Sequence, residues 1–314
     1  MKELKIAMLG MVDGNGHPYS WSAMFNGYDK EAMEECGFPV IPRYLEKEPS
    51  ESFGIRGAKI THIWTDNPED AKKVAKASKI PNIVAKPEDV IGHVDAVIVA
   101  TDKGDDHIWR VKPFVEAGLP VFVDKPIADN VDDLKIFCKW VKNGAKIMSS
   151  SSLRYVKEYL PYFLSTHELG ELRYVNMTMG KTWERYGMHA LEPVYRMTGP
   201  GYVSVQNTGD DSHNILHLVH KNGIHVNLAV IYDMAGSELK LVGTKDSVSL
   251  PRKDSFFSFK AQLEDFVRYL EEEVRPYPFE ETIELAEILI AGIRSREEGG
   301  RKVMLDEIRK EVEV

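Results

Sequence analysis

Cysteine is nearly absent: Cys36 and Cys138 are the only two in 314 residues. They show no Cys-x-x-Cys spacing, so neither a disulfide framework nor a cysteine-built zinc site is expected. Glutamine is as scarce, with only Gln206 and Gln262 beside abundant Lys and Glu. That bias suits a heat-adapted source. Basic residues are outnumbered, 40 Lys and Arg against 49 Asp and Glu, for a net charge of −9. No basic cluster stands out, which argues against nucleic acid or an anionic membrane as partner. No apolar run approaches the roughly 18 residues that span a bilayer. The start, Met1 to Gly10, runs straight into a strand without the apolar core of a secretion leader. These absences point to a cytoplasmic protein that handles small molecules without a metal.

What is present is a rhythm. Lys5–Gly10, Lys59–Thr65, Val94–Ala100, Pro120–Asp124 and Ala145–Ser149 are short apolar runs. Helical patterns at 69–79, 107–117 and 129–143 separate the later ones. Asn67-Pro68 supplies a cap and first-turn proline for the first of these helices. Strand, helix, strand at this spacing predicts a parallel sheet covered on both faces. The second half differs. Helices near 155–167 and 189–197 flank a strand at 171–178. Lys221-Asn222-Gly223 and Gly243–Asp246 are turn signals between strand pairs at 215–219 and 224–231, and at 238–242 and 247–250. Helices at about 259–274 and 279–295 close the chain and are expected on the sheet of their own half. The reading is an α/β Rossmann-like domain over 1–150 and an α+β domain with an open, mostly antiparallel sheet over 151–314. The boundary falls in the serine run Ser149–Ser152.

Three places carry chemistry by their residues. The turn Gly10-Met11-Val12-Asp13-Gly14-Asn15-Gly16 follows the first strand, where a glycine-rich turn can take a pyrophosphate. Its spacing departs from G-x-G-x-x-G, and an ordinary turn fits it as well. Asp66, ending the second strand, either accepts ribose hydroxyls or caps the next helix. Asp124-Lys125-Pro126 leaves the carboxyl end of a strand, the side of a parallel sheet where ligands bind. Pro126 allows a cis bond before it. Further on, His189 and Glu192 share one helix face at i and i+3. The long segment 16–57 exceeds a minimal crossover and places His17, Tyr19 and Trp21 beside the turn. His213, His217, His220 and His225 lack the partners of a metal site and are read as structural.

The run from Ala96 to Thr101, His107, and Glu116 to Pro126 resembles the Gfo/Idh/MocA oxidoreductase family, which carries Glu-Lys-Pro where this chain has Asp124-Lys125-Pro126. Ser152–Val156 with Leu169–Val175, then Gly243–Leu250 and Glu264–Arg268, resemble its later parts in the right order. The resemblance implies a nicotinamide cofactor, NAD with NADP possible. Gly10, Met11, Val12, Gly14, Gly16, Asp66, Ala100, Thr101, His107, Asp124 and Lys125 would bind it. It implies Lys125 and His189 as catalytic residues, His189 matching the family's proton acceptor. Substrate would meet Lys125, His189, Arg154, Tyr155, Arg185, Glu192 and His17. One departure is Arg185, which stands where the family often has an Asp four residues before its His.

The expected activity is hydride transfer between nicotinamide and a secondary hydroxyl of a sugar, cyclic polyol or sugar acid. Two other readings stay open: a nucleotide-sensing protein on the same fold, and an NAD-assisted glycosidase. The second sheet is expected to join subunits into a homodimer or homotetramer.

Overall fold

The structure is a computed structural model that describes residues 3–313. In chain order, β1 (Leu4–Leu9) leads to α1 (His17–Asn26), α2 (Lys30–Glu34) and α3 (Val40–Leu45). Next come β2 (Ala58–Trp64), α4 (Pro68–Ala77), β3 (Asn82–Ile83) and β4 (Ala96–Val99). Then α5 (His107–Glu116), β5 (Val121–Val123), α6 (Val131–Lys142) and β6 (Ile147–Met148) complete a six-stranded sheet. Its order is β3-β2-β1-β4-β5-β6 and every pairing is parallel.

Alternation along these strands sets the two faces. Ala7, Leu9, Val97, Val99, Val121 and Val123 pack beneath α5 and α6, which add Val111, Phe114, Leu134 and Phe137. Ile6, Met8, Ile98, Phe122 and Met148 face the other way, toward α1 and α4. Asn67 caps α4 as expected, its side chain accepting the Glu69 N–H. The segment 16–57 is not a long loop. It folds into α1 to α3 and a short turn of 3-10 helix, because Tyr19, Trp21, Met24, Phe25, Met33 and Leu45 all have core to fill.

The second half begins with 3-10 turns and the five-residue α7 (Leu160–Leu164) where a longer helix over 155–167 was expected. Then follow β7 (Leu172–Gly180), α8 (Trp183–Thr198), β8 (Tyr202–Asn207), β9 (His213–His220) and β10 (His225–Ile231). Two more strands, β11 (Glu238–Gly243) and β12 (Ser247–Pro251), precede α9 (Ser255–Glu272) and α10 (Phe279–Glu297). Last come β13 (Val303–Met304) and α11 (Leu305–Val312). The seven-stranded sheet runs β12-β11-β7-β10-β9-β8-β13 and is antiparallel except for β7 with β10. One face, with Val175, Met177, Leu216, Leu218, Val226 and Leu228, is buried beneath α8 and α10.

One expectation fails here. Helix α10 does cover its own sheet, but α9 packs on the first one. Phe256, Leu263, Phe266 and Val267 join Ile6, Met8, Ile98 and Phe122 in a single core. Phe122 and Phe266 rings sit 5.5 Å apart. The short β5 and β6 would otherwise leave that face open to water, and α9 carries the apolar stripe that fills it.

Candidate active site between the two sheets

Strand order reverses between β1 and β4, and the segments leaving these two strands part there to open a crevice. The glycine turn after β1 lies on one side. Ala100, Thr101 and Asp102 lie on the other. Asp124-Lys125-Pro126, after β5, forms the floor, and the Lys125–Pro126 bond is cis. Helix α8 and the start of α9 cover the crevice from the second half. They leave a cavity of about 230 Å³, lined among others by His17, Asp102, Lys125, Tyr186, His189 and Arg252.

Lys125 is 1% exposed. Its ammonium lies 3.5 Å from an Asp102 carboxylate oxygen and donates to the Arg185 carbonyl at 3.3 Å. The Tyr186 ring is 5.3 Å away. Asp102 also takes two bonds from Arg185, from Nη2 at 2.7 Å and Nε at 3.1 Å. Burial pushes the Asp102 carboxyl up, but Lys125 and Arg185 together pull it down further, to about 2. Arg185 reaches on to the Asp13 carbonyl at 3.1 Å and so ties α8 to the glycine turn. The family's Asp at this place is replaced by a cation, and the anion it meets stands across the crevice.

His189 is 8% exposed, and its Nδ1 lies 2.6 Å from the Ser151 hydroxyl. Burial holds its imidazole well below the usual histidine range, and Lys125, Arg252 and His17 add to that. The ring is therefore neutral at neutral pH. His17, the first residue of α1, places Nδ1 2.6 Å from Asp124 Oδ2. Asn15 reaches the same oxygen at 3.4 Å and the Ala100 carbonyl at 2.9 Å. The Lys125 N–H donates to the other Asp124 oxygen at 2.7 Å. The carboxylate is held from three sides.

Several expected site residues stand elsewhere. Glu192 does not share the cavity with His189. It is buried on the far side of Ser149–Ser152, accepting the Ser151 N–H at 3.1 Å and pairing with Arg154 at 2.9 Å. Arg154 also pairs with Glu281 and stacks over Tyr277 at 3.9 Å. Arg154 and Tyr155 line a separate hollow of about 290 Å³ with Arg196, Asp265 and Arg268. The tight 3-10 turn Ser152–Tyr155 sends Ser152 to the cavity and Arg154 away from it. Burial raises the Glu192 carboxyl, opposed by Arg154.

The expected cofactor residues divide likewise. His107 is fully buried, with one ring nitrogen 2.7 Å from the Thr101 carbonyl and the other 3.2 Å from that of Ile127. It braces the two strand ends from behind. Ala100 and Thr101 are fully buried too. Gly10, at φ +84°, is needed because a Cβ there would meet Thr101 Cγ2 at 2.8 Å. Gly16 is a glycine for packing, since a Cβ would meet Ile41 at 2.6 Å. Asp66 accepts the Met11 N–H at 3.1 Å and is clamped by both terminal nitrogens of Arg110, at 2.8 and 3.1 Å. Arg110, which also pairs with Asp106 at 2.8 Å, was not legible from the sequence near Asp66, being 44 residues away. Asp102 was legible in principle, as the residue after Thr101 at the mouth of β4.

A dinucleotide fits these residues. Among the described residues the N–H groups of Val12, Asp13, Gly14 and Gly16 have no acceptor in the protein. Such a set of free donors before a helix suits a pyrophosphate. Asp66 lies at the end of β2, the place for ribose hydroxyls. No group of His, Cys, Asp and Glu among the described residues is arranged to hold a metal. None of their helices is long and apolar enough to cross a membrane.

Comparison with known proteins agrees. Residues 39–151 match the sequence profile of the Gfo/Idh/MocA oxidoreductases, described as an oxidoreductase family with an NAD-binding Rossmann fold. No curated protein matches the chain. Among solved structures, a probable dehydrogenase from Thermotoga maritima aligns at a TM-score of 0.76 and 14% identity, over 97% of this chain and 100% of its own. A putative myo-inositol dehydrogenase from Sinorhizobium meliloti aligns at 0.73 and 15%, over 96% and 99%. An oxidoreductase from Agrobacterium radiobacter, solved with NAD+, L-tartaric acid and magnesium, aligns at 0.75 and 15%, over 98% and 100%. The resemblance carried by Asp124-Lys125-Pro126 is borne out: residues 39–151 match the Gfo/Idh/MocA oxidoreductase profile with its NAD-binding Rossmann fold, and the whole chain shares the fold of these solved structures.

Proposed function

We propose that the protein is an NAD-dependent dehydrogenase acting on a secondary hydroxyl of a sugar, cyclic polyol or sugar acid. The observation that carries this reading is the cavity at the strand-order reversal, walled by a buried ammonium and two imidazoles. Residues 1–150 bind the dinucleotide, and 151–314 shape the substrate side while lending α9 back to the first sheet. A bound nicotinamide supplies the hydride acceptor. Lys125 donates a hydrogen bond to the reacting oxygen and steadies the negative charge that gathers there. An imidazole takes the hydroxyl proton. The cavity, about 230 Å³, suits one six-carbon ring, and its polar walls suit several hydroxyls. The open face of the second sheet, with Tyr174, Asn176, His217 and Asn227 partly exposed, is where subunits would meet.

The test has two parts. NADH should quench the protein's tryptophan fluorescence, and a polyol and sugar-acid screen should then find NAD reduction. Lys125→Ala should lower turnover at least as strongly as it weakens substrate binding; unchanged turnover would sink the assignment. The sensor reading has one observation behind it, the Arg185 bridge from Asp102 to the Asp13 carbonyl across the crevice. NADH binding with no turnover across the screen would favour it.

A further inference from the structure

The cavity holds two histidines, and they are not equivalent. His189 has only a serine hydroxyl behind its Nδ1, and the carboxylate four residues before it in the family's pattern is replaced by Arg185. Glu192, three residues after it on α8, is turned away and held by Arg154 and Ser151. On the opposite wall His17 has what His189 lacks. Asp124 Oδ2 lies 2.6 Å from its Nδ1, and that carboxylate is itself fixed by Asn15 and the Lys125 N–H.

We propose that His17, oriented by Asp124, is the general base of this site, and that His189 serves as a neutral hydrogen-bonding wall. The proposal rests on the dehydrogenase reading above. A carboxylate on Nδ1 selects the tautomer with its proton there, so the lone pair is on Nε2. No protein partner occupies Nε2 among the described residues. The ring lies flat on Trp21, at 4.3 Å and 14°, with the Phe259 edge at 5.4 Å. These contacts fix its plane at the cavity wall, 15% exposed.

The substrate O–H bond breaks and its proton goes to Nε2 of His17. The electron pair left on oxygen becomes the second bond of the new carbonyl. The C–H pair departs as hydride to an oxidised nicotinamide. Positive charge arriving on the imidazole meets the Asp124 carboxylate and the Trp21 face. Lys125 keeps its hydrogen bond to the reacting oxygen throughout. The other charged groups facing the same space are Asp102, already shared by Lys125 and Arg185, and Arg252. Behind His189 Nδ1 stands only the Ser151 hydroxyl, so no carboxylate is there to meet the charge a base takes up, and burial makes that charge costlier still.

Two measurements decide it. Nitrogen NMR of histidine-labelled full-length protein reads the tautomer without substrate or cofactor. His17 should be found with its proton on Nδ1, and Asp124→Asn should release it to a mixture. A wild-type His17 that already exchanges between tautomers would overturn the proposal. With a substrate from the screen, His17→Ala should lose about 100-fold or more in kcat with KM changed little, in line with general-base catalysis. Added imidazole should restore part of it, since the ring's space beside Trp21 is vacated. His189→Asn should act mainly on KM. A 100-fold kcat loss in His189→Asn with His17→Ala near normal would return the base to α8. A locked tautomer with no turnover on any substrate would instead refute the dehydrogenase reading, and the base assignment with it.

Discussion

Asp102 is the residue whose removal the structure predicts most sharply. It is 2% exposed and holds two cations, Lys125 at 3.5 Å and Arg185 at 2.7 Å. At an effective dielectric near 20, a unit pair at 3.5 Å is worth about 5 kcal/mol before desolvation. Asp102→Asn keeps the shape and deletes the charge. Lys125 is then a buried ammonium with only a carbonyl and a ring beside it. Leaving one partner of a buried pair alone costs about 3–5 kcal/mol. For a chain of this size that is a fall in Tm of about 6–10 °C. Lys125→Gln alone should cost less, because Arg185 still satisfies Asp102. The double variant should recover about 2 kcal/mol or more relative to the sum of the singles. Urea unfolding of the four proteins without cofactor completes the cycle. A cost below about 1 kcal/mol for Asp102→Asn, or plain additivity, would refute the reasoning.

The sign with pH follows from the same residue. Its carboxyl is held at about 2, below its ordinary 3.8. A depressed acid stabilises the fold above its unfolded value and loses that contribution as pH falls through the folded one. Between about pH 4 and pH 2 the wild type should therefore lose about 2 kcal/mol that Asp102→Asn lacks from the start.

Two other substitutions separate packing from bridging. Gly10→Ala should destabilise by about 1–3 kcal/mol, because the added methyl needs φ +84° and meets Thr101 Cγ2 at 2.8 Å; NADH affinity should fall with it, and wild-type stability would mean the turn moves freely. Arg185→Gln should cost only about 1–2 kcal/mol, since its side chain is 29% exposed, and should speed amide exchange at Met11 and Asn15, the hydrogen-bonded N–H groups of the turn, about five-fold or more; exchange unchanged at those two amides would show that the bridge to Asp13 does not hold the turn.

Much of the fold was legible because one period at a time decides it. The buried strands of the first sheet read as unbroken apolar runs, and the hairpin around Lys221-Asn222-Gly223 read as a turn. What escaped was whatever depended on a partner far along the chain. Nothing local in Ser255–Glu272 says that its apolar stripe meets Phe122 and Ile98 rather than the neighbouring strands. The same limit governed the site. Lys125 could be placed because a parallel strand delivers whatever follows it to the cleft. Arg154 and Tyr155 were misplaced because a single 3-10 turn reverses direction within two residues, which no periodicity records.

Arg185 and His17 stand on opposite walls of one site. Read alone, Arg185 was a broken motif, an acid lost beside the expected base. In three dimensions it is a bridge across the crevice. The cation on α8 pairs with Asp102 and, through it, shares an anion with Lys125. The carboxylate that meets a histidine is Asp124, at the place of the family's Glu-Lys-Pro acid, on the other wall, where α1 begins with His17. The site thus holds one buried ammonium, one carboxylate beside it, and one imidazole backed by a second carboxylate. That arrangement makes a specific demand. Restoring the family's acid by Arg185→Asp cannot rescue His17→Ala, because the new carboxylate would stand beside Asp102 rather than behind a base. Such a double variant should be less stable than either single one, as two buried carboxylates then compete for Lys125.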